Sequence, residues 1–139
     1  MNPLDLPVHP ALVHFPIAML VAAWVCILAR HGLRSAVWDD RARLFELVGV
    51  ATLPPAIVAG VIDLRGVDAL LDPRWSLPLI WHVLAALASS VLFAGHWFWR
   101  RRRDVTVGEA AVVDVAVSTA ALWLLVLAGA IAGEMVYAV

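Results

Sequence analysis

Histidines near the start of the chain have the type and position to bind a metal. His9 and His14 stand in the stretch HPALVHFPIA, residues 9–18, where a long apolar segment begins. A histidine just inside a hydrocarbon-length helix is costly, so it marks a candidate functional site. A third histidine, His82, lies near the start of another apolar segment. Two neutral imidazoles from facing helices make a b-type haem site, and imidazole also suits zinc and copper.

The composition places most of the chain in lipid. Of its 139 residues, 63% are hydrophobic and 15% are charged, and the mean hydropathy is +0.90. A soluble domain of this length has too high a surface-to-volume ratio to bury so much apolar surface. The net charge of −1 gives no reason to expect a nucleic-acid partner. We therefore expect an integral membrane protein whose main partner is the lipid bilayer.

Four apolar segments are long enough to cross a bilayer as helices, which takes about 17–25 residues. The connectors between them are short and polar. The sequence therefore predicts a single transmembrane domain over residues 1–139, with an all-α fold in the form of an integral membrane four-helix bundle. The predicted spans are residues 10–29, 44–64, 77–99 and 112–136.

The arginines predict the orientation of this bundle. All ten basic residues are arginines: four lie around the first connector, two in the second and four in the third. Because basic connectors normally remain in the cytoplasm, the first and third connectors are expected inside. The sequence thus predicts an N-out/C-out, multi-pass protein of the bacterial inner (cytoplasmic) membrane.

The predicted orientation gathers polar residues from all four helices at the outer side. The first and third helices run inward, so His14 and His82 would lie near their outer ends, and we expect these two to face each other. Neighbouring polar groups commonly orient metal-bound imidazoles through hydrogen bonds. The candidates for that role are His9, Asp63, Glu134 and Tyr137.

Three interpretations of this outer cluster remain open. His14 and His82 could be the axial ligands of a haem b iron. They could instead bind zinc, copper or non-haem iron together with Asp63 or Glu134. They could also hold no cofactor and only form hydrogen bonds between helices. The haem interpretation leads.

A second pair of histidines favours haem. His96 follows His82 by 14 residues, and His31 follows His14 by 17. At about 100° and 1.5 Å per residue, each spacing returns to nearly the same helix face, roughly 21–25 Å along the axis. A second haem could therefore lie between His31 and His96 at the inner side. A solvated histidine in a connector is the alternative for His31, because Gly32 follows it.

No catalytic motif is evident, since the chain has no P-loop, GxGxxG, GxSxG or CxxC pattern. Whether the protein is an enzyme stays open. The leading function is a haem-binding membrane protein that passes electrons to or from a quinone or a periplasmic redox partner. The alternative is an accessory membrane subunit that is non-catalytic or binds a non-haem metal. Either could assemble as a homo-oligomer.

The opening stretch, residues 9–18, resembles the start of a family of small bacterial membrane proteins catalogued as domain of unknown function 2231. The resemblance extends along nearly the whole chain, including Asp63, His82 and the residues Val136 and Tyr137. It implies four membrane helices and no settled activity. Some members of that family are similar to subunits found with Rieske-type or cytochrome-like redox modules, and this implies a redox role.

Overall fold

Four long helices make up the described part of the protein. A computed structural model describes residues 8–64, 73–103 and 109–137, without the side chains of residues 64, 73–75, 109, 136 and 137. Every helix contains a segment long and apolar enough to cross a membrane, and no strand occurs in the described ranges. The all-α four-helix membrane fold is thereby confirmed. The helices are α1 (Val8–Leu33), α2 (Ala36–Leu64), α3 (Pro73–Arg100) and α4 (Glu109–Tyr137).

Each helix extends beyond its predicted apolar span, and α2 differs most. It begins at Ala36 rather than at residue 44, so charges that hydropathy assigned to a connector lie on its first turns. Asp39 accepts a hydrogen bond from Arg43 Nε at 2.9 Å, a favourable pair one helical turn apart. The break from α1 is short: Arg34 takes the left-handed conformation, with φ 51°, that commonly ends a helix.

The helices pack as two hairpins. α1 packs mainly on α2 and α3 mainly on α4, while the α1–α4 and α2–α3 interfaces are smaller. α1 and α3 therefore stand diagonally across the bundle. Close packing of α1 on α2 depends on Gly49, where an added Cβ would lie 2.7 Å from Leu20 Cγ. Small residues commonly allow such close approach between membrane helices.

An apolar core separates two polar ends of the bundle. Leu20, Phe93 and Ala121 form its fully buried centre. Many other large apolar side chains are exposed, Val91 and Trp123 among them, as a lipid-facing surface requires. We call the end where α1 begins and α4 finishes the terminal end, and the opposite end the arginine end.

Candidate functional site

At the terminal end, the rings of His9 and His82 lie next to each other. Their centroids are 6.3 Å apart and their planes are nearly perpendicular, at 86°. His9 belongs to the first turn of α1 and His82 to α3. Both side chains are half-buried, so the diagonal helices bring two imidazoles together at this edge of the bundle.

A backbone carbonyl from a neighbouring helix fixes each of these rings. His9 Nδ1 donates to Ala56 O at 2.8 Å, and His82 Nδ1 donates to Ala128 O at 2.9 Å. Because a carbonyl oxygen only accepts, each Nδ1 carries a proton, and in a neutral ring Nε2 then carries the lone pair. Gly60 leaves room for the first ring, since a Cβ there would lie 3.0 Å from His9 Nδ1.

His14 lies apart from this pair. Its side chain is exposed on α1, and its Nδ1 donates to Pro10 O of the same helix. His9 and His14 are separated by about 140° around the helix, so only one of them can point at α3. The expected pairing of His14 with His82 is therefore not found, and His9 occupies that position. Ligation by His14 stays a prediction that no contact supports.

Within the described side chains, the predicted carboxylates of the terminal end form no hydrogen bond with the imidazoles. Asp63 Oδ2 accepts a hydrogen bond from the backbone N–H of His9 at 2.8 Å. The first N–H groups of a helix lack intrahelical partners and favour a negative charge, so Asp63 caps α1. Glu134 is exposed on α4, and the Tyr137 side chain lies outside the described residues. Within residues 8–64, 73–103 and 109–137, no group of three or more metal-ligating side chains could hold an ion.

The arginine end contains a buried network of charged side chains, centred on Arg100. Its Nη2 lies 2.6 Å from Asp39 Oδ1, and its Nη1 lies 3.3 Å from Glu46 Oε2. Its Nε lies 2.9 Å from Asp114 Oδ1. All four helices contribute to what we call the arginine network. Its members are Arg30, His31, Asp39, Arg43, Glu46, His96, Arg100 and Asp114.

His96 lies between two carboxylates of the arginine network. Its Nδ1 donates to Glu46 Oε1 at 2.6 Å, and its Nε2 lies 3.1 Å from Asp114 Oδ1. The second contact is an ion-pair approach rather than an aligned hydrogen bond. His31 Nε2 donates to the other oxygen of Asp114 at 2.8 Å. The expected second pair, His31 and His96, therefore meets at the Asp114 carboxylate, and both ring nitrogens of His96 face carboxylate oxygens. Ligation of a second haem by this pair stays a prediction that no contact supports.

Sequence reasoning missed Glu46, which is fully buried inside a segment predicted to be apolar. A carboxylate within a membrane span indicates a functional or paired site, so the sequence alone could have marked Glu46. Its partner His96 could not be predicted without knowing which helices are neighbours. In the sequence, Arg100 belongs to the basic run of residues 100–103, which indicates only the orientation of the protein in the membrane. Arg100 is the last residue of α3 and is buried, whereas Arg101, in the turn that follows, is exposed.

Comparison with known proteins identifies the family of the chain. No curated protein and no solved structure is detectably similar to it. A family model described as "Predicted membrane protein (DUF2231)" matches residues 5–139, a range that includes all four helices and both polar ends. The resemblance seen in the opening stretch is thus confirmed, and the chain belongs to the DUF2231 family of membrane proteins.

Proposed function

We propose that the protein binds one haem through His9 and His82 at its terminal end. The observation that carries the proposal is the ring geometry: two imidazoles from two helices lie 6.3 Å apart, and each is held through Nδ1 by a carbonyl. Metal-bound histidines almost always donate their other ring N–H to such an acceptor, which fixes the tautomer. The donors offered to iron would be the two Nε2 lone pairs.

The donor set fits haem iron better than a bare ion. Structural zinc sites use four protein ligands, whereas the described residues hold no group of three or more potential ligands. Haem needs only its axial ligands from the protein.

A bound haem would supply one-electron chemistry, and the chain would supply binding and surroundings. Asp63 would support the site indirectly, because it caps the helix turn that carries His9. In the orientation predicted from the arginines, the terminal end faces the periplasm. The haem could there exchange electrons with a membrane quinone or with a periplasmic redox partner, in the bacterial inner membrane.

Visible spectroscopy of the protein, produced with sufficient haem and purified in detergent, tests the proposal. We expect a Soret band, sharp α and β bands after reduction, and about one haem per chain. His9→Ala and His82→Ala should each abolish the low-spin spectrum, because each removes an axial ligand. His14→Ala is the matched control at the exposed histidine of the same helix, and it should leave the spectrum unchanged.

Other outcomes would overturn this assignment. If His14→Ala removed the spectrum and His9→Ala did not, the ligand would be His14. A colourless protein that contained zinc, copper or iron, depleted by both ligand substitutions, would favour an accessory metal-binding subunit. If neither haem nor metal were bound, and His9→Ala and His82→Ala only lowered thermal stability, the two histidines would have a structural role alone.

A further inference from the structure

The fully buried part of the arginine network has unequal numbers of charges. Glu46, His96, Arg100 and Asp114 have side chains that are 0% exposed. Two carboxylates and one guanidinium leave one excess negative charge when His96 is neutral. An unbalanced charge is expensive to bury in a membrane-embedded bundle.

The other arginines lie closer to the surface of the network. Arg30 and Arg43 both bind Asp39, and the exposed side-chain fractions of the three are 8%, 34% and 16%. Over the whole network, three arginines balance three carboxylates. Of the two outer arginines, however, Arg43 is 34% exposed, whereas the surplus negative charge lies among fully buried groups.

The groups that surround His96 also favour one additional positive charge at this site. A neutral imidazole has one N–H and one lone pair. Both ring nitrogens face carboxylate oxygens, Glu46 at 2.6 Å and Asp114 at 3.1 Å. In the neutral form, a nitrogen lone pair therefore lies against an oxygen lone pair. One added proton removes this repulsion and also cancels the excess negative charge.

We propose that Glu46, His96 and Asp114 share one exchangeable proton, and that His31 admits it. The His31 side chain is 18% exposed and lines a shallow, open depression whose other walls are apolar residues of α4. Its Nε2–H donates to Asp114 Oδ2 at 2.8 Å. A proton that arrives on His31 Nδ1 releases the Nε2 proton to Asp114. Because His96 Nε2 lies 3.1 Å from the other oxygen, Oδ1, the Asp114 carboxyl must turn before it gives this proton to His96. Tautomer exchange through water then returns the N–H of the neutral His31 ring from Nδ1 to Nε2, so the network has gained one proton.

Charged groups from all four helices act on this proton. The carboxylates hold it, whereas the Arg100 guanidinium, 2.9 Å from Asp114 Oδ1, opposes it. Because these effects compete, the proton is exchangeable rather than permanent. Trp99 stacks on His96 with centroids 5.8 Å apart and covers one side of the ring. The groups that face the site are Arg30 and His31 from α1, Asp39, Arg43 and Glu46 from α2, Arg100 from α3 and Asp114 from α4.

Nitrogen NMR of protein labelled in its histidines, combined with infrared spectroscopy of its carboxyl groups, tests the shared proton. At about pH 7, where an ordinary histidine is mostly neutral, we expect His96 as an imidazolium or a protonated carboxyl at Glu46 or Asp114. Asp114→Asn should abolish that signal, because an amide N–H can bond to the Nε2 lone pair of a neutral His96. A resonance that disappears in His96→Gln belongs to His96. If that variant does not fold, replacement of the other four histidines one at a time identifies the His96 resonance by elimination.

A neutral His96 with both carboxylates ionised would overturn the shared proton. The route is tested separately with His31→Gln, which keeps an N–H donor for Asp114 but cannot carry a proton onward. Exchange of the His96 ring proton with solvent should slow at least about tenfold, a barrier increase of about 1.4 kcal/mol. His14→Gln, at the opposite end of the same helix, should leave the exchange rate unchanged. An unaltered rate in His31→Gln would overturn the route.

Discussion

The indole Nε1–H of Trp24 donates a hydrogen bond to the Thr119 hydroxyl at 2.9 Å. This contact joins α1 to α4, which belong to different hairpins and share a small interface. In lipid, no hydrophobic force draws apolar helices together, so packing and hydrogen bonds must do so. The contact therefore helps to hold the two hairpins against each other.

Replacement of Thr119 by valine keeps the shape of the side chain and removes the acceptor for Trp24. We expect Thr119→Val to lower the free energy of unfolding by about 0.6 kcal/mol, and by about 1.7 kcal/mol at most. Unfolding by titration with a denaturing detergent measures the change. The control is Thr52→Val, because Thr52 bonds only to carbonyls of its own helix. Equal losses in both variants would contradict a role in holding the hairpins together.

Removal of the Arg100 guanidinium should be far more costly. Arg100→Met leaves three carboxylates without their shared cation, and breaking a buried ion pair in this way costs about 3–5 kcal/mol. Arg101→Met is the matched control one residue away. Arg101 is exposed and lies over the Trp97 ring at 4.8 Å, a contact worth about 0.5–1 kcal/mol. A small loss in Arg100→Met, measured by the same titration, would contradict the central place of Arg100.

The orientation in the membrane stays a prediction, and a fusion at Val139 tests it. A reporter that is active only in the cytoplasm should be silent there, because eight arginines accumulate around the first and third connectors and two in the second. Some of these arginines form ion pairs with carboxylates, but this does not change the predicted orientation. Acidic residues contribute little to the positive-inside rule, which counts lysine and arginine. Strong reporter activity would place the terminal end, with His9 and His82, in the cytoplasm.

Hydropathy was sufficient to predict the four helices but not their rotation about their axes. In a membrane protein, apolar residues face both lipid and neighbouring helices, so their pattern does not show which face is buried. For this reason the sequence predicts that His14 faces His82, with His9 only as an orienting neighbour, whereas in the structure His9 lies beside His82. The same limit applies to Gly129 and Gly133, whose four-residue spacing is typical of a packing face between membrane helices. A Cβ added at either would meet nothing within 4 Å among the described atoms, whereas Gly49 provides a close helix contact.

The arginine network was overlooked for a related reason. Apart from Glu46, most of its charged residues lie near helix ends, where solvated side chains are common, and Asp39 falls in a predicted connector that is in fact helical. The pairing of Glu46 with His96 joins positions 50 residues apart. No local pattern of residues encodes a contact between helices, so it became visible only when α2 and α3 were placed side by side.

The hairpin arrangement bears on how the protein is synthesised. α1 and α2 can insert and pack while the second half of the chain is still being translated, because most of their contacts are to each other. That first half already carries Glu46, but His96 and Arg100 arrive only with α3. Until then the carboxylate lacks its partners, so a half-made or truncated product exposes a charge at the bilayer edge. In the finished protein that carboxylate is fully buried beside His96 and Arg100, so the first hairpin depends on the second to neutralise its buried charge.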